Sequence, residues 1–462
     1  MIVAIALDLG STSIKAGLLD QHGKFSGIVA QAAPSVHAED ERYESDALAY
    51  AAIAEQVLAN CLAKTIELLP LGLCSQRSSF LIWERDSGKP VTPLISWQDT
   101  RGEASCIALQ AHEPLITKIT GLRLTPYYFA GKLRVLLQQN PSWREKLLSG
   151  AWLVGTLDTF MIWRWTGGKQ HLSDASMAAR TLLMNIRTQQ WSPELCELFD
   201  IPLNILPAIK PSTAMNVQLN NDLTLQASLG DQSAALFASV GEDSDVALVN
   251  LGTGGFVIRY LAEDRTDTAG YLRTLVYQDQ TGQTHIAIEG TLNSIAAALA
   301  PYPVSVCKVE NMAALPDIFC LAEPSGLGAP YFRKDLGLQF SQAVEHLSPQ
   351  EIAGLLLEAI IFRVARIVEE FHRSAPLRRV YLSGGLSELD CLQQGIAQCL
   401  HCEVYRLQQR DASLQGAAML AAGMTQAAHQ QAEKIRIEKT NPALMEKYLR
   451  WKIWLDGLLQ DC

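Results

Sequence analysis

The chain has 462 residues, 48% of them hydrophobic, and a formal net charge of −10 from 48 acidic and 38 basic side chains. That length exceeds one ordinary core and predicts two or more domains. Charges of both signs are interspersed with no long basic run, so a nucleic-acid backbone is excluded as an expected partner, and small anionic ligands must be attracted locally.

The ten cysteines follow no framework spacing, which fits a reducing, cytoplasmic location. Cys399 and Cys402 resemble half a metal site, but no second pair completes it, and ordinary packing is expected. Residues 1–7 lack a basic leader and are cut by Asp8, so they read as a buried strand. The longest apolar helix candidate, residues 352–371, carries Glu358, Arg363 and Arg366 and cannot span a bilayer, so no membrane partner is expected.

In chain order, strands are predicted over residues 2–7, 13–20 and 27–33, the last two joined by Gln21-His22-Gly23-Lys24. A helix over 46–64, capped by Ser45, comes next. A strand ending in Cys74-Ser75-Gln76-Arg77 and another over 80–84 follow, so the fold is α/β. Near the middle lies Leu229-Gly230-Asp231-Gln232-Ser233-Ala234-Ala235. From these residues alone two readings stand: Asp231 caps a helix over 232–239, or its carboxylate faces a ligand.

A domain boundary is expected between 239 and 245, after which the opening pattern restarts. Residues 246–250 form a strand, Leu251-Gly252-Thr253-Gly254-Gly255 a tight turn, and 256–261 the returning strand; further strands cover 271–279 and 284–289. Two such openings predict a duplicated fold with ligand bound between the copies. The remainder alternates helix (349–371), strand (380–382), the turn Ser383-Gly384-Gly385, a helix to about 400, strand (403–407), a small-residue helix (412–422) and an amphipathic packing helix (441–459).

Asp8-Leu9-Gly10-Ser11-Thr12-Ser13-Ile14-Lys15 follows a buried strand, and its turn can aim several backbone N–H groups at an anion. Asp8 could hold Mg2+, directly or through water. Gly252-Thr253-Gly254 and Gly384-Gly385 make two similar turns, while neither a Walker pattern nor a dinucleotide fingerprint in its proper setting occurs. The expected phosphate chain is gripped by several loops.

These residues resemble the FGGY carbohydrate kinases of the actin-like ATPase superfamily, and within them the glycerol kinases. The likeness runs in order through Asp8 to Lys15, Gln76-Arg77, Gly88-Lys89-Pro90, Ser96-Trp97-Gln98-Asp99, Pro126-Tyr127, Ser173-Asp174, Arg180-Thr181, Gly230-Asp231-Gln232, Gly252-Thr253-Gly254, Gly326-Leu327-Gly328-Ala329-Pro330-Tyr331, Gly384-Gly385 and Gln415-Gly416-Ala417-Ala418. It implies two actin-like, ribonuclease H-like α/β domains with a cleft between them. Residues 1–241 would carry the substrate pocket and first phosphate loop, and residues 242–462 the nucleotide site.

The implied reaction moves the γ-phosphoryl group of ATP, with Mg2+, to a hydroxyl of a small sugar or polyol. In it Asp231 is the catalytic base and Asp8 the metal ligand, while Ser11, Thr12, Ser13, Gly252, Thr253, Gly254, Gly384 and Gly385 bind ATP. Arg77, Ser78, Trp97, Tyr127, Asp231, Gln232 and Phe256 would bind the acceptor. The resemblance also allows a homodimer. Ser78 stands where glycerol kinases have Glu, so a longer polyol or a ketose is the expected acceptor. The alternatives are a pentulose or hexulose kinase, or a non-catalytic actin-like ATPase or sugar sensor.

Overall fold

Strand β1, Ile2–Leu9, is a near-continuous apolar run whose residues from Ala4 to Leu9 are buried, as a central strand covered on both faces requires. It pairs antiparallel with β2, Ser13–Asp20, which pairs antiparallel with β3, Phe25–Ala32. On its other side β1 runs parallel to β4, Pro70–Ser75, and β4 runs parallel to β5, Thr224–Gly230. Asp46 caps the following helix, Ala47–Leu62, through bonds from the Leu48 and Ala49 N–H groups at 2.9 Å. The expected cap, Ser45, instead belongs to a short strand, Arg42–Ser45, and is paired with Leu94.

The computed structural model describes residues 1–220, 222–262, 270–408, 411–424, 432–437 and 440–460. The chain forms two compact units. One comprises Met1–Gly241, Arg273–Ile286 and Asp411–Ala427; the other comprises Glu242–Leu272, Ala287–Arg410 and Ala428–Cys462. A single crossing at 241/242 would assign 273–286 and 411–427 to the second half, but both pack with the first unit. The hairpin is held there by Arg273 N–H on Gly121 O (3.1 Å) and Ser212 N–H on Gln278 O (2.8 Å), with Tyr277 edge-on to Phe237.

A second sheet of the first unit, built from His37–Glu39, Arg42–Ser45, Leu94–Ile95, Phe80–Glu84 and Trp152–Thr156, carries the segments around Ser78 and Trp97. Phe80 and Phe129 meet edge to face in the core beside it.

In the second unit, β6, Val246–Leu251, pairs antiparallel with β7, Gly255–Tyr260, and β7 with β8, Thr284–Leu292, over the part from Ala287 onward. β6 runs parallel to β9, Arg379–Ser383, and β9 to β10, Glu403–Leu407. The order β8-β7-β6-β9-β10 repeats β3-β2-β1-β4-β5 in both sequence and strand direction. The predicted duplication is therefore present.

The helix Pro349–Ser374 starts at a capping box of Ser348 and Glu351 and runs three residues beyond the predicted end. Its charges are paired inside the protein: Arg363 Nε donates to Glu323 at 2.7 Å, and Lys447 Nζ to Glu358 at 2.6 Å. Among the described residues no helix is long and apolar enough to cross a membrane. The nine described cysteines are free thiols, and Cys399 and Cys402 pack in the core.

The helix Ala412–Ala421 lies on the first unit, where small residues let backbones touch. A Cβ on Gly416 would stand 1.9 Å from Ala234 O, and one on Gly72 would stand 2.1 Å from Ala417 O. Neither neighbour is a side chain that can swing away. Gly416→Ala is therefore expected to cost about 1–3 kcal/mol of stability by overpacking, read as a lowered midpoint in urea unfolding.

Candidate functional site

The parallel strands β1, β4 and β5 end side by side, with Leu9 opposite Ser75 and Ser75 opposite Gly230. Ligands of open α/β sheets bind outside such carboxyl ends. Here the three ends deliver Asp8, the Gln76-Arg77 pair and Asp231. Asp231 opens the helix Asp231–Val240 as its first residue, with Gly230 in the cap position, so the expectation of Asp231 as N-cap is not met. Its Oδ1 accepts from the Gln232 N–H at 2.7 Å and lies 3.8 Å from Arg77 Nε. Arg77 also donates to Gln232 Oε1. The Asp231 side chain remains 32% exposed.

Gly230 lets Arg77 pass close to the backbone, since a Cβ there would stand 2.7 Å from Arg77 Cδ. Burial raises the Asp231 carboxyl above its ordinary value, while Arg77, the Gln232 N–H and Arg180 pull it down. Asp8 is more deeply set. Its Oδ2 accepts from Ser413 Oγ at 2.7 Å, and its Oδ1 is buried with no hydrogen-bond partner in the structure. Burial pushes Asp8 up to about 6; the Ser413 hydroxyl opposes this, and the charge of Asp231 adds to it. Lys15 Nζ holds Asp411 at 2.5 Å.

The loop after β1 is pinned by Tyr50, whose hydroxyl donates to Gly10 O at 2.7 Å. Thr12 is exposed and Ser11 and Ser13 are half-buried, so the loop presents polar groups to solvent. Trp97 is 41% exposed and Tyr127 47%, large apolar faces left uncovered. The Trp97 backbone donates to Ser79 Oγ at 2.9 Å, and Ser79 Oγ donates to Gln76 Oε1 at 2.9 Å, which ties the Trp97 segment to the end of β4.

Ser78 departs from expectation. It is 6% exposed, has a left-handed backbone (φ 64°), and its Oγ donates to Arg180 O at 3.0 Å. The hydroxyl is thus turned into the protein.

The second unit repeats the arrangement with glycine loops in place of carboxylates. Asn250, at the end of β6, is paired with Ser383, at the end of β9, and its Nδ2 donates to Ser383 Oγ at 3.0 Å. The loops Gly252-Thr253-Gly254 and Gly384-Gly385 follow these two ends. Gly384 has φ 86°, and a Cβ there would stand 2.4 Å from Leu251 O, so a bare backbone is required. Thr253, Gly384 and Gly385 are exposed. Phe256, half-buried, lies opposite Asn250 in the β6–β7 hairpin.

Sequence reading did not single out Ser413, Asp411 or Ser176, and it gave Arg180, part of a matched motif, no role of its own. Ser413 and Asp411 become partners of Asp8 and Lys15 only through packing across about 400 positions, and no local pattern marks such a residue.

The model of the N-terminal domain of the FGGY family of carbohydrate kinases matches residues 3–250, and that of the C-terminal domain matches residues 247–424. The chain is 30% identical to an apulose kinase of Pectobacterium atrosepticum, over 97% of each protein. It is 31% identical to a glycerol kinase of Polaromonas naphthalenivorans, over 91% of this chain and 90% of that one. Among solved structures, Plasmodium falciparum glycerol kinase with ADP superimposes with a TM-score of 0.84 at 22% identity, covering 100% of this chain and 99% of that one. The xylulose kinase of Lactobacillus acidophilus gives 0.77 at 18%, covering 99% and 98%, so both share the fold. With both family models matched in order, the chain belongs to the FGGY family of carbohydrate kinases.

Proposed function

We propose that this kinase uses Asp231 as the base that takes a proton from the acceptor hydroxyl as phosphoryl transfer begins. The reaction is ATP-dependent phosphorylation of a sugar or polyol. The observation that carries the assignment is Asp231 itself: a partly exposed carboxylate at the head of a helix, beside Arg77 and Gln232, at the carboxyl end of β5. In the reaction the hydroxyl oxygen forms a bond to the γ-phosphorus, the bond to the β–γ bridging oxygen breaks with its electrons leaving on ADP, and the hydroxyl proton passes to Asp231. Arg77 orients the carboxylate, and its charge opposes the rise that burial causes.

Trp97 and Tyr127 supply flat faces for the C–H edges of the acceptor, and Arg77 and Gln232 supply hydrogen bonds to its hydroxyls. Within the first unit the backbones of Ser11, Thr12 and Ser13 suit phosphate oxygens, and within the second so do those of Gly252, Thr253, Gly254, Gly384 and Gly385. Asp8 fits a Mg2+ ligand, because its buried Oδ1 has no hydrogen-bond partner. Among the described residues no group of three or more His, Cys, Asp or Glu gathers to hold a metal, so the remaining ligands would be phosphate and water. Such an ion, when bound, neutralises phosphate charge.

A ketose or longer polyol is the acceptor this site favours. No carboxylate stands at Ser78, and that hydroxyl is bonded to Arg180 O, which leaves one fewer acceptor for a small triol. A lost partner of this kind is worth about 1–3 kcal/mol, roughly ten- to two-hundredfold in preference.

Three measurements follow. In an ADP-release screen, four- to six-carbon polyols and ketoses should exceed glycerol in kcat/KM by at least about tenfold; a preference for glycerol would overturn the specificity reading. Asp231→Asn should lower kcat about a hundredfold to ten-thousandfold with ATP affinity nearly intact, and near-normal turnover would remove Asp231 from the mechanism. Finally, a carboxyl with a raised pKa takes up its proton as pH falls through that pKa, and Mg2+ must displace that proton to bind Asp8, so the Mg2+ concentration needed for half-maximal turnover should rise below about pH 6. Ser413→Ala deletes a hydrogen bond that favours the ionised form, and should move the onset of this rise to higher pH.

A further inference from the structure

Behind Asp231 lies a buried polar relay that the reaction does not use directly. Asp174, fully buried, caps the short helix Ala175–Ala178: its Oδ2 accepts from the Ser176 N–H at 2.7 Å and its Oδ1 from the Met177 N–H at 3.1 Å. Oδ2 also accepts from Ser212 Oγ at 2.6 Å. Ser212 Oγ in turn accepts from the Gln278 N–H at 3.1 Å, which joins the 273–286 hairpin to the same carboxylate. Ser176 Oγ accepts the Gly230 N–H at 2.9 Å. Gly230 is the residue immediately before Asp231.

Two constraints thus meet on one peptide unit. From one side the Arg77 stem lies so close that Gly230 has no room for a Cβ; from the other, the hydroxyl of Ser176, whose backbone N–H is held by the buried Asp174, holds the N–H. Resting on the reading of Asp231 as base, we infer that Ser176, oriented by Asp174, is a positioning residue that sets where the Asp231 carboxylate stands relative to the acceptor hydroxyl. Ser176 is fully buried and has no route to substrate, so it acts only through Gly230.

The test compares kcat and both KM values of four variants, each normalised to folded protein by its binding stoichiometry for a non-hydrolysable ATP analogue. A displacement of about 1 Å at a reacting group costs roughly a hundredfold, so the slack introduced by Ser176→Ala is expected to lower kcat about tenfold, with KM for ATP within about twofold of wild type. Ser176→Thr keeps the hydroxyl and should recover turnover to within about threefold. Ser212→Ala removes one donor to Asp174 but leaves the bond to Gly230, and should cost about threefold. If Ser176→Ala turns over normally while Asp231→Asn is inactive, the relay is overturned and the base stands. If Ser176→Ala and Ser176→Thr lose turnover and ATP affinity together, the relay is overturned in favour of general damage. If Asp231→Asn is itself active, the base assignment falls and takes the relay with it.

Discussion

How closely two backbones can approach decides the chemistry at the carboxyl end of the first unit. The helix Ala412–Ala421 touches β4 through Gly72 and the helix Asp231–Val240 through Gly416, at distances no side chain would permit. That approach places Ser413 on Asp8 and Asp411 on Lys15, and brings Gln415 Nε2 to Gly23 O at 2.9 Å. The same packing that excludes water from Asp8 also supplies the hydrogen bond that limits the effect of burial. Close packing and a tuned carboxylate are therefore one feature.

The two units apply a common rule to different chemical needs. In both, a strand, tight turn and strand precede a parallel pair, and polar function collects where the parallel strands end. The first unit places the carboxylates of Asp8 and Asp231 there, and the second places the glycine turns around Thr253 and Gly384. Duplication of topology with divergence at the strand ends gives one fold two chemically different faces.

Much of this was legible in the sequence because the informative signals are local. The buried run of β1, the glycine turns and the pattern around Asp231 each lie within about ten residues, so pattern and turn chemistry suffice. What escaped depends on partners far along the chain. The capping role went to Asp46 because Ser45 was already committed to a strand pair that no single segment reveals. Ser78 looked available to a ligand because its bond to Arg180 O spans 102 positions. Residues 273–286 look like any hairpin, and only Ser212, Gly121 and Phe237 show which unit they complete.

The bond from Ser413 to Asp8 joins residues 405 positions apart, and the helix that carries it follows two of the three segments of the second unit in the chain. On the ribosome, then, the first unit is made early but cannot be finished early. Its last helix is synthesised only after residues 287–410 have appeared. Until that moment the surfaces of β4 and the helix Asp231–Val240 that receive Gly416 and its neighbours stay open, and Asp8 lacks its hydroxyl partner. Vectorial synthesis thereby delays assembly of the face around Asp8 until residues 411–421 have appeared, and a product truncated before them carries the Asp231 and Arg77 motifs without the packing that supports them.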